Sequence, residues 1–222
     1  MLFEKVILAG LSDFATSKNL LAKEQFRFRK EHSTNHQLLT VVDIISHGFN
    51  INKSIGVGFL EVAKAFDRVW HRGLIFKLIK LTFSSYLVNL LTCYLEEHTF
   101  HVAMHEECST VLPILAGVPQ GSMVEPFLCS IFTNDTPKDE KKTDLTLYAN
   151  DVAVNSQSFS EKEAAKNLEA SLCKISGWSS DWRMNLNTSK TTATLFTESR
   201  LKSIHRSASM ERRYSGKAAA HT

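Results

Sequence analysis

Three carboxylates stand near the ends of segments that read as buried strands. Glu61 ends GVGFLE, Asp67 follows in AKAFD, and Asp151 lies in LTLYANDVAVN with Asn150 just before it. Two carboxylates from different strand ends, if brought side by side, offer hard oxygens to Mg²⁺. An ion held there activates a hydroxyl and steadies the leaving oxygen of a phosphoryl transfer. Asn150 and Asp151 also have a plainer reading. Short polar side chains bond to nearby backbone and tolerate positive φ, so such a pair between two apolar runs signals a β-hairpin turn. The readings are compatible, because a turn can present a carboxylate.

The elements that must position these residues follow from apolar spacing. Residues 1 to about 24 have helical character, and the cationic stretch Gln25–Gln37 reads as an exposed strand or loop leading into a helix near Ser33–Asn35. Leu38, Val41, Val42, Ile45 and Phe49 keep helical spacing. Ile55–Trp70 starts as a strand and turns helical near Ala63, and two helices follow, one on Leu74, Leu78 and Leu81, the other on Leu87–Leu95. TFHVAM and TVLPIL are candidate strands around HEECS, and GVPQGSMVEPFLCSIFTND enters an apolar helix with Pro126 in its first turn. Asp139–Asp144 reads as a solvated loop. From Glu161, Leu168, Leu172, Ile175, Trp178 and Trp182 recur on one helical face, expected to be core. TTATLF is a last strand. This order predicts an α+β fold with an antiparallel sheet.

The chain has 222 residues, 43% of them hydrophobic and 22% charged, which suits one soluble globular domain. The net charge of +3 is not spread evenly. Between Arg200 and Thr222 six Lys or Arg face only Glu211, a local +5, so the remainder carries −2 of that +3. The whole-chain charge therefore does not argue for a basic groove in the core. The tail has no periodic apolar face and reads as disordered. Cys93, Cys108, Cys129 and Cys173 never form CxxC and read as free thiols, each most simply a small buried apolar residue. No apolar run reaches membrane-spanning length. MLFEKVILAGL carries Glu4 and Lys5 without a clean apolar core and is a poor secretory signal. The expectation is an intracellular protein, nuclear or cytoplasmic, with no membrane association.

Several motifs in fixed order carry a resemblance. LFEKVIL, QFRFRK, FLEVAKAFDRVWH, GVPQGS, LYAND and NLNTSKT resemble the reverse transcriptase domain of non-LTR retrotransposons, most of all the jockey type. The resemblance implies a right-hand polymerase with fingers and palm in residues 1–199, an antiparallel palm sheet packed on helices, and a basic tail at 200–222. It implies RNA-directed DNA synthesis from an RNA template, a DNA primer and dNTPs, with two Mg²⁺ ions. The catalytic and metal-binding positions implied are Glu61, Asn150 and Asp151. Phe66 matches the residue that blocks a sugar 2′-hydroxyl. Gln120 and Gly121 match the segment that meets template and incoming nucleotide, Tyr148 the tyrosine of the hairpin motif, and Arg29 and Lys190 cations near the triphosphate.

The chain departs from the family pattern where the chemistry is most demanding. Glu61 and Asn150 stand where the family has aspartates, Arg27 and Glu31 where it usually has glycine, and Glu125 where a small polar residue is usual. An amide oxygen is neutral and a poorer ligand for a hard cation than a carboxylate. The thumb that follows the palm in the family is not expected within these residues. The resulting expectation is an impaired polymerase, the alternative a catalytically dead remnant that still binds nucleic acid.

Overall fold

A computed structural model describes residues 2–21, 34–96, 98–105, 107–119, 121–139, 142–148 and 151–197, with the backbone alone at 34–37 and 148. In chain order the elements are α1 (Leu2–Ser17), α2 (Thr34–Asn50), β1 (Ser54–Ala63), a 3-10 turn (Phe66–Arg68), α3 (His71–Lys80), α4 (Ser85–Glu96), the short strands β2 (Thr99–Phe100), β3 (Ala103–Met104), β4 (Glu107–Cys108) and β5 (Leu112–Pro113), α5 (Glu125–Phe132), β6 (Thr143–Tyr148), β7 (Asp151–Ser158), α6 (Glu161–Asp181), β8 (Asn185–Leu186) and β9 (Thr192–Phe196). The fold is α+β, with helices packed on an antiparallel sheet. It divides into two compact units, one drawn from Met1–Ala22 and Lys64–Asp135, the other from Lys23–Ala63 and Thr136–Thr222.

The second unit is built on a five-stranded sheet ordered β6-β7-β1-β8, with β9 also paired to β1. Side chains alternate between its faces. On one face Leu60, Leu145, Leu147, Val152 and Val154 pack against Leu168, Leu172 and Ile175 of α6. Gly56 and Gly58 lie beneath that helix. A Cβ on Gly56 would stand 3.3 Å from Leu168 Cδ2, and one on Gly58 3.2 Å from Leu172 Cδ2. A side chain at either position would require the facing leucine to give way by a few tenths of an ångström. On the other face Ile55, Val57 and Ala153 pack with Val41, Ile44, Ile45 and Phe49 of α2. That cover ends before the end of β1, where Phe59 is 43% exposed.

Asn155, at the centre of β7, is fully buried, and neither its amide nitrogen nor its oxygen has a hydrogen-bond partner among the described residues. Leaving a buried polar group unpaired is costly. Asn155→Val, which also suits a strand, is expected to raise the unfolding free energy by about 1–2 kcal/mol, read as a higher urea midpoint at unchanged slope. A lower midpoint would count against this account of the strand.

The first unit packs helices. Ile7, Leu11 and Ala15 of α1, four apart, are buried, and the Phe14 ring lies tilted 4.7 Å from that of Phe83, which meets Phe127 edge-on at 6.4 Å. Pro126 sits in the first turn of α5, as expected. Lys77 of α3 is buried among these helices. It pairs with Asp135 at 2.5 Å, donates to the Phe132 carbonyl, and lies 4.8 Å from the Phe132 ring.

Several sequence expectations need correction. The first helix ends at Ser17, short of residue 24, as Asn19 takes a φ of +50°. Strand β1 runs through Ala63, and the helical turn comes at Phe66–Arg68. Thr143 and Asp144 belong to β6 rather than a loop, because pairing with Ser156 and Asn155 extends the ladder to them. Trp178 and Trp182 are only half-buried. Cys93, Cys108 and Cys173 are exposed, and only Cys129 is a buried apolar filler. The segments 25–33 and 200–222 lie outside the described residues.

Candidate active site

In the sheet unit, β1 and β7 run antiparallel with Glu61 directly opposite Asp151. Across the same strand, Asp151 is the backbone register partner of Tyr148 on β6. Tyr148, Asp151 and Glu61 thus form one row over three strands. Directly opposed residues on antiparallel strands have Cβ atoms about 4.5–5.5 Å apart and share a face. Glu61 and Asp151, 90 positions apart in the chain, therefore present their carboxylates together at the uncovered end of that face. Ala149 and Asn150, which join β6 to β7, lie outside the described residues.

A third residue joins them. Between β8 and β9 the backbone turns, with Lys190 N donating to Asn187 O at 3.2 Å and Asn187 N donating to Glu61 O at 2.8 Å. This fixes the turn against β1, and Lys190 Nζ lies 3.0 Å from both carboxylate oxygens of Glu61. The ion pair is solvent-facing, with side-chain exposures of 63% and 25%. Pairs of this kind contribute only about 0–1 kcal/mol, so Lys190 is readily drawn off by a stronger partner.

The donor set suits a hard divalent cation, since both carboxylates are oxygen ligands on one face. It is also incomplete. Among the described residues no cluster of three or more His, Cys, Asp or Glu is arranged to hold a metal. The acids come as a register pair, and Lys190 sits on Glu61.

The helical unit carries other predicted residues. Phe66 is half-buried in the 3-10 turn, and its carbonyl accepts Val118 N–H at 3.0 Å. Gly117 N donates to Val69 O at 2.9 Å, and Trp70 and Ala116 form an isolated bridge. This laces the GVPQGS segment to the chain after β1. Gly117 is at φ +97°, where a Cβ would meet Asp67 O at 3.1 Å, so both conformation and space demand glycine. His71 Nε2 lies 2.6 Å from Gly117 O. Gly121 is at φ +82°, and its N–H donates to Glu125 Oε2 at 2.9 Å. Asp67 is exposed in the 3-10 turn of this unit, whereas Glu61 and Asp151 belong to the other. Arg29 and Gln120 lie outside the described residues, as does the side chain of Tyr148.

Two polar groupings have no counterpart in the sequence reading. One joins Glu4, Tyr94 and Ser122; the other is Lys77 with Asp135. Each joins residues at least 28 positions apart, so no local spacing signals it. Among the described residues no helix is long and apolar enough to cross a membrane.

Comparison with known proteins identifies the family of the chain. The family model described as reverse transcriptase (RNA-dependent DNA polymerase) matches residues 2–216. The chain is 36% identical over 203 residues to the probable RNA-directed DNA polymerase from transposon BS of Drosophila melanogaster, covering 88% of this chain and 22% of that protein. It is 37% identical over 197 residues to the RNA-directed DNA polymerase from mobile element jockey of the same species, covering 85% and 21%. The chain thus spans about a fifth of the length of these curated relatives. Among solved structures, apo telomerase from Candida tropicalis, truncated from its C-terminal domain, gives a TM-score of 0.58 at 14% identity, covering 86% of this chain and 40% of that one. Telomerase from Candida tropicalis in complex with a TWJ fragment of telomeric RNA gives 0.60 at 12%, covering 86% and 33%. At those identities the likeness is one of fold. The chain belongs to the reverse transcriptase (RNA-dependent DNA polymerase) family, as a domain related to the polymerases of the jockey, BS and X-element retrotransposons.

Proposed function

We propose that residues 1–199 form the fingers and palm of an RNA-directed DNA polymerase that transfers nucleotides to a primer 3′-hydroxyl, and that this copy does so poorly. The observation that carries the reading is the register pair Glu61 and Asp151, two carboxylates on adjacent strands at the open end of one sheet face. These residues, with Asn150, would hold Mg²⁺, which when bound supplies the charge that phosphoryl transfer requires. Lys190, released from Glu61, can donate to a phosphate oxygen. Phe66 supplies bulk against a 2′-hydroxyl, while Gln120, Gly121, Tyr148 and Arg29 carry the remaining contacts to nucleotide and template that membership of the family suggests. The natural partners are an RNA template, a DNA primer and dNTPs, and the segment 200–222 is a basic tail to the domain.

Impairment follows from chemistry. Glu61 has one methylene more than the aspartate of the family pattern, and Asn150 contributes no charge. The lysine on Glu61 favours a second reading, in which the metal site is closed and only nucleic-acid binding survives. Binding of Mn²⁺, followed by its effect on water proton relaxation, tests the choice. Asp151→Asn is expected to weaken Mn²⁺ binding by at least about tenfold, and Lys190→Met, which frees Glu61, to strengthen it severalfold. If the unaltered chain and Asp151→Asn bind Mn²⁺ equally, the metal-site reading fails.

A further inference from the structure

In the helical unit, one carboxylate reaches across the fold to the loop that precedes α5. Glu4, in the first turn of α1, accepts a hydrogen bond from Tyr94 Oη of α4 at 3.0 Å on Oε1. Its Oε2 lies 3.5 Å from Met123 N, a residue 119 positions away. Tyr94 Oη is also 3.0 Å from Ser122 Oγ. A phenol has one proton, and the carboxylate is the stronger acceptor, so that proton goes to Glu4. The Ser122 hydroxyl is left to donate into the same cluster, and its bond is the foremost cause holding the Glu4 carboxyl below the usual carboxylate range, followed by that of Tyr94. Ser122 Oγ in turn accepts Val124 N–H at 3.1 Å, and Ser122 N donates to Pro119 O at 3.1 Å.

The loop at Gly121–Val124 is therefore tied at successive residues. Gly121 N–H is taken by Glu125 Oε2, Ser122 is buried against Tyr94 and Glu4, Met123 N points at Glu4, and Val124 N is held by Ser122. The tie at Ser122 and Met123 needs an all-acceptor group. Glu4 faces two hydroxyls and an N–H, and a glutamine would set an NH₂ donor against one of them. A mere tether of α1 to the unit would not require this, because Ile7, Leu11 and Ala15 already bury the apolar side of that helix.

We propose that Glu4 is a positioning residue: acting through Tyr94 and Ser122, it sets the conformation of the Gly121–Val124 segment for contact with a primer–template duplex. The contact rests on the polymerase reading above; the positioning rests on the hydrogen bonds alone. Glu4 touches no substrate in this role. It selects one loop conformation and removes the need to order the loop when nucleic acid binds.

The test uses the full chain. Backbone amide exchange at Ser122–Val124 is measured without nucleic acid in the unaltered protein, Glu4→Gln and Tyr94→Phe. Affinity for an RNA–DNA primer–template duplex and the urea unfolding midpoint are measured alongside. Glu4→Gln is expected to speed exchange at Met123 and Val124 by about tenfold or more, with a smaller gain in Tyr94→Phe, and to weaken duplex binding by a similar factor while the midpoint moves little. A structural tether would instead shift the midpoint and loosen α1. Unchanged exchange at those amides in Glu4→Gln overturns the proposal, as does faster exchange with undiminished duplex affinity. Should Glu4→Gln not fold, the same readings on Tyr94→Phe decide it. If the unaltered chain binds no duplex, the polymerase reading fails by itself, and the exchange result still decides whether Glu4 orders the loop.

Discussion

Glu61→Asp and Asn150→Asp, introduced together, are expected to raise Mg²⁺-dependent primer extension on an RNA template by on the order of 10²-fold or more, on the proposed polymerase reading. Each change repairs a different defect. Shortening residue 61 draws its carboxylate back by roughly 1 Å, a displacement large enough to govern a positioned reaction. It also withdraws the group from Lys190, which now reaches both of its oxygens. The aspartate at 150 adds the third negative charge. On the proposed reading both changes serve one metal site, so their effects are not additive and the single variants are expected to gain less than half of the double on a logarithmic scale. Extension rates for the four combinations, with Asp151→Asn as background, make the measurement. A double variant no faster than that background would refute the assignment of these positions.

The second large effect concerns stability. Asp135→Asn is expected to lower the unfolding free energy at pH 7 by about 2–4 kcal/mol, because it leaves the Lys77 ammonium buried without its counterion. The Lys77 side chain is 4% exposed and that of Asp135 41%, so the two ends of the pair are not equivalent. Lys77→Met removes the buried charge and leaves a carboxylate that water can reach, and is expected to cost less than Asp135→Asn. The pH dependence has a definite sign. Burial pushes the Lys77 amine down from 10.5 to about 8, against the opposing pull of Asp135. Between those values the unfolded chain binds the proton and the folded chain does not, so stability rises with pH across that window, by about 3 kcal/mol in all. The penalty is fully present below pH 8. Asp135→Asn narrows toward the unaltered protein by pH 10, where the amine is neutral in both. Urea melts at pH 7 and pH 10 test this, and an equal loss at both would exclude the buried charge as its cause.

Much of the scaffold was legible because its signals are local. The recurrence of Leu168, Leu172 and Ile175 marks the core face of α6, and the polar pair Asn150–Asp151 between apolar runs marks the β6–β7 hairpin, although Asp151 itself is the first residue of β7. Trp178 and Trp182 continue the same spacing yet are half-buried, because periodicity reports which side a residue faces and not how much protein lies opposite. The two-residue strand β8 was invisible, since its pairing with Val62 and Ala63 owes nothing to its own composition. At the site, strand ends were readable as places for carboxylates, but not the ion pair between Lys190 and Glu61, 129 positions apart. Lys77 was hidden for a related reason. A lysine on an amphipathic helix ordinarily reaches water, and the Asp135 carboxylate and Phe132 carbonyl that receive it lie 58 and 55 positions away, where no local spacing signals them.

The two glycines beneath α6 restrict how such a site can drift. A slip of β1 by one position would carry Glu61 into the leucine-lined side and move Gly56 and Gly58 out from under the helix that presses on them. Sliding is therefore closed as a means of adjustment, and an overlong acid at 61 cannot be accommodated by shifting the strand that bears it. On the proposed reading, repair of the centre comes from substitution, one side chain at a time, on a backbone that remains in its original alignment.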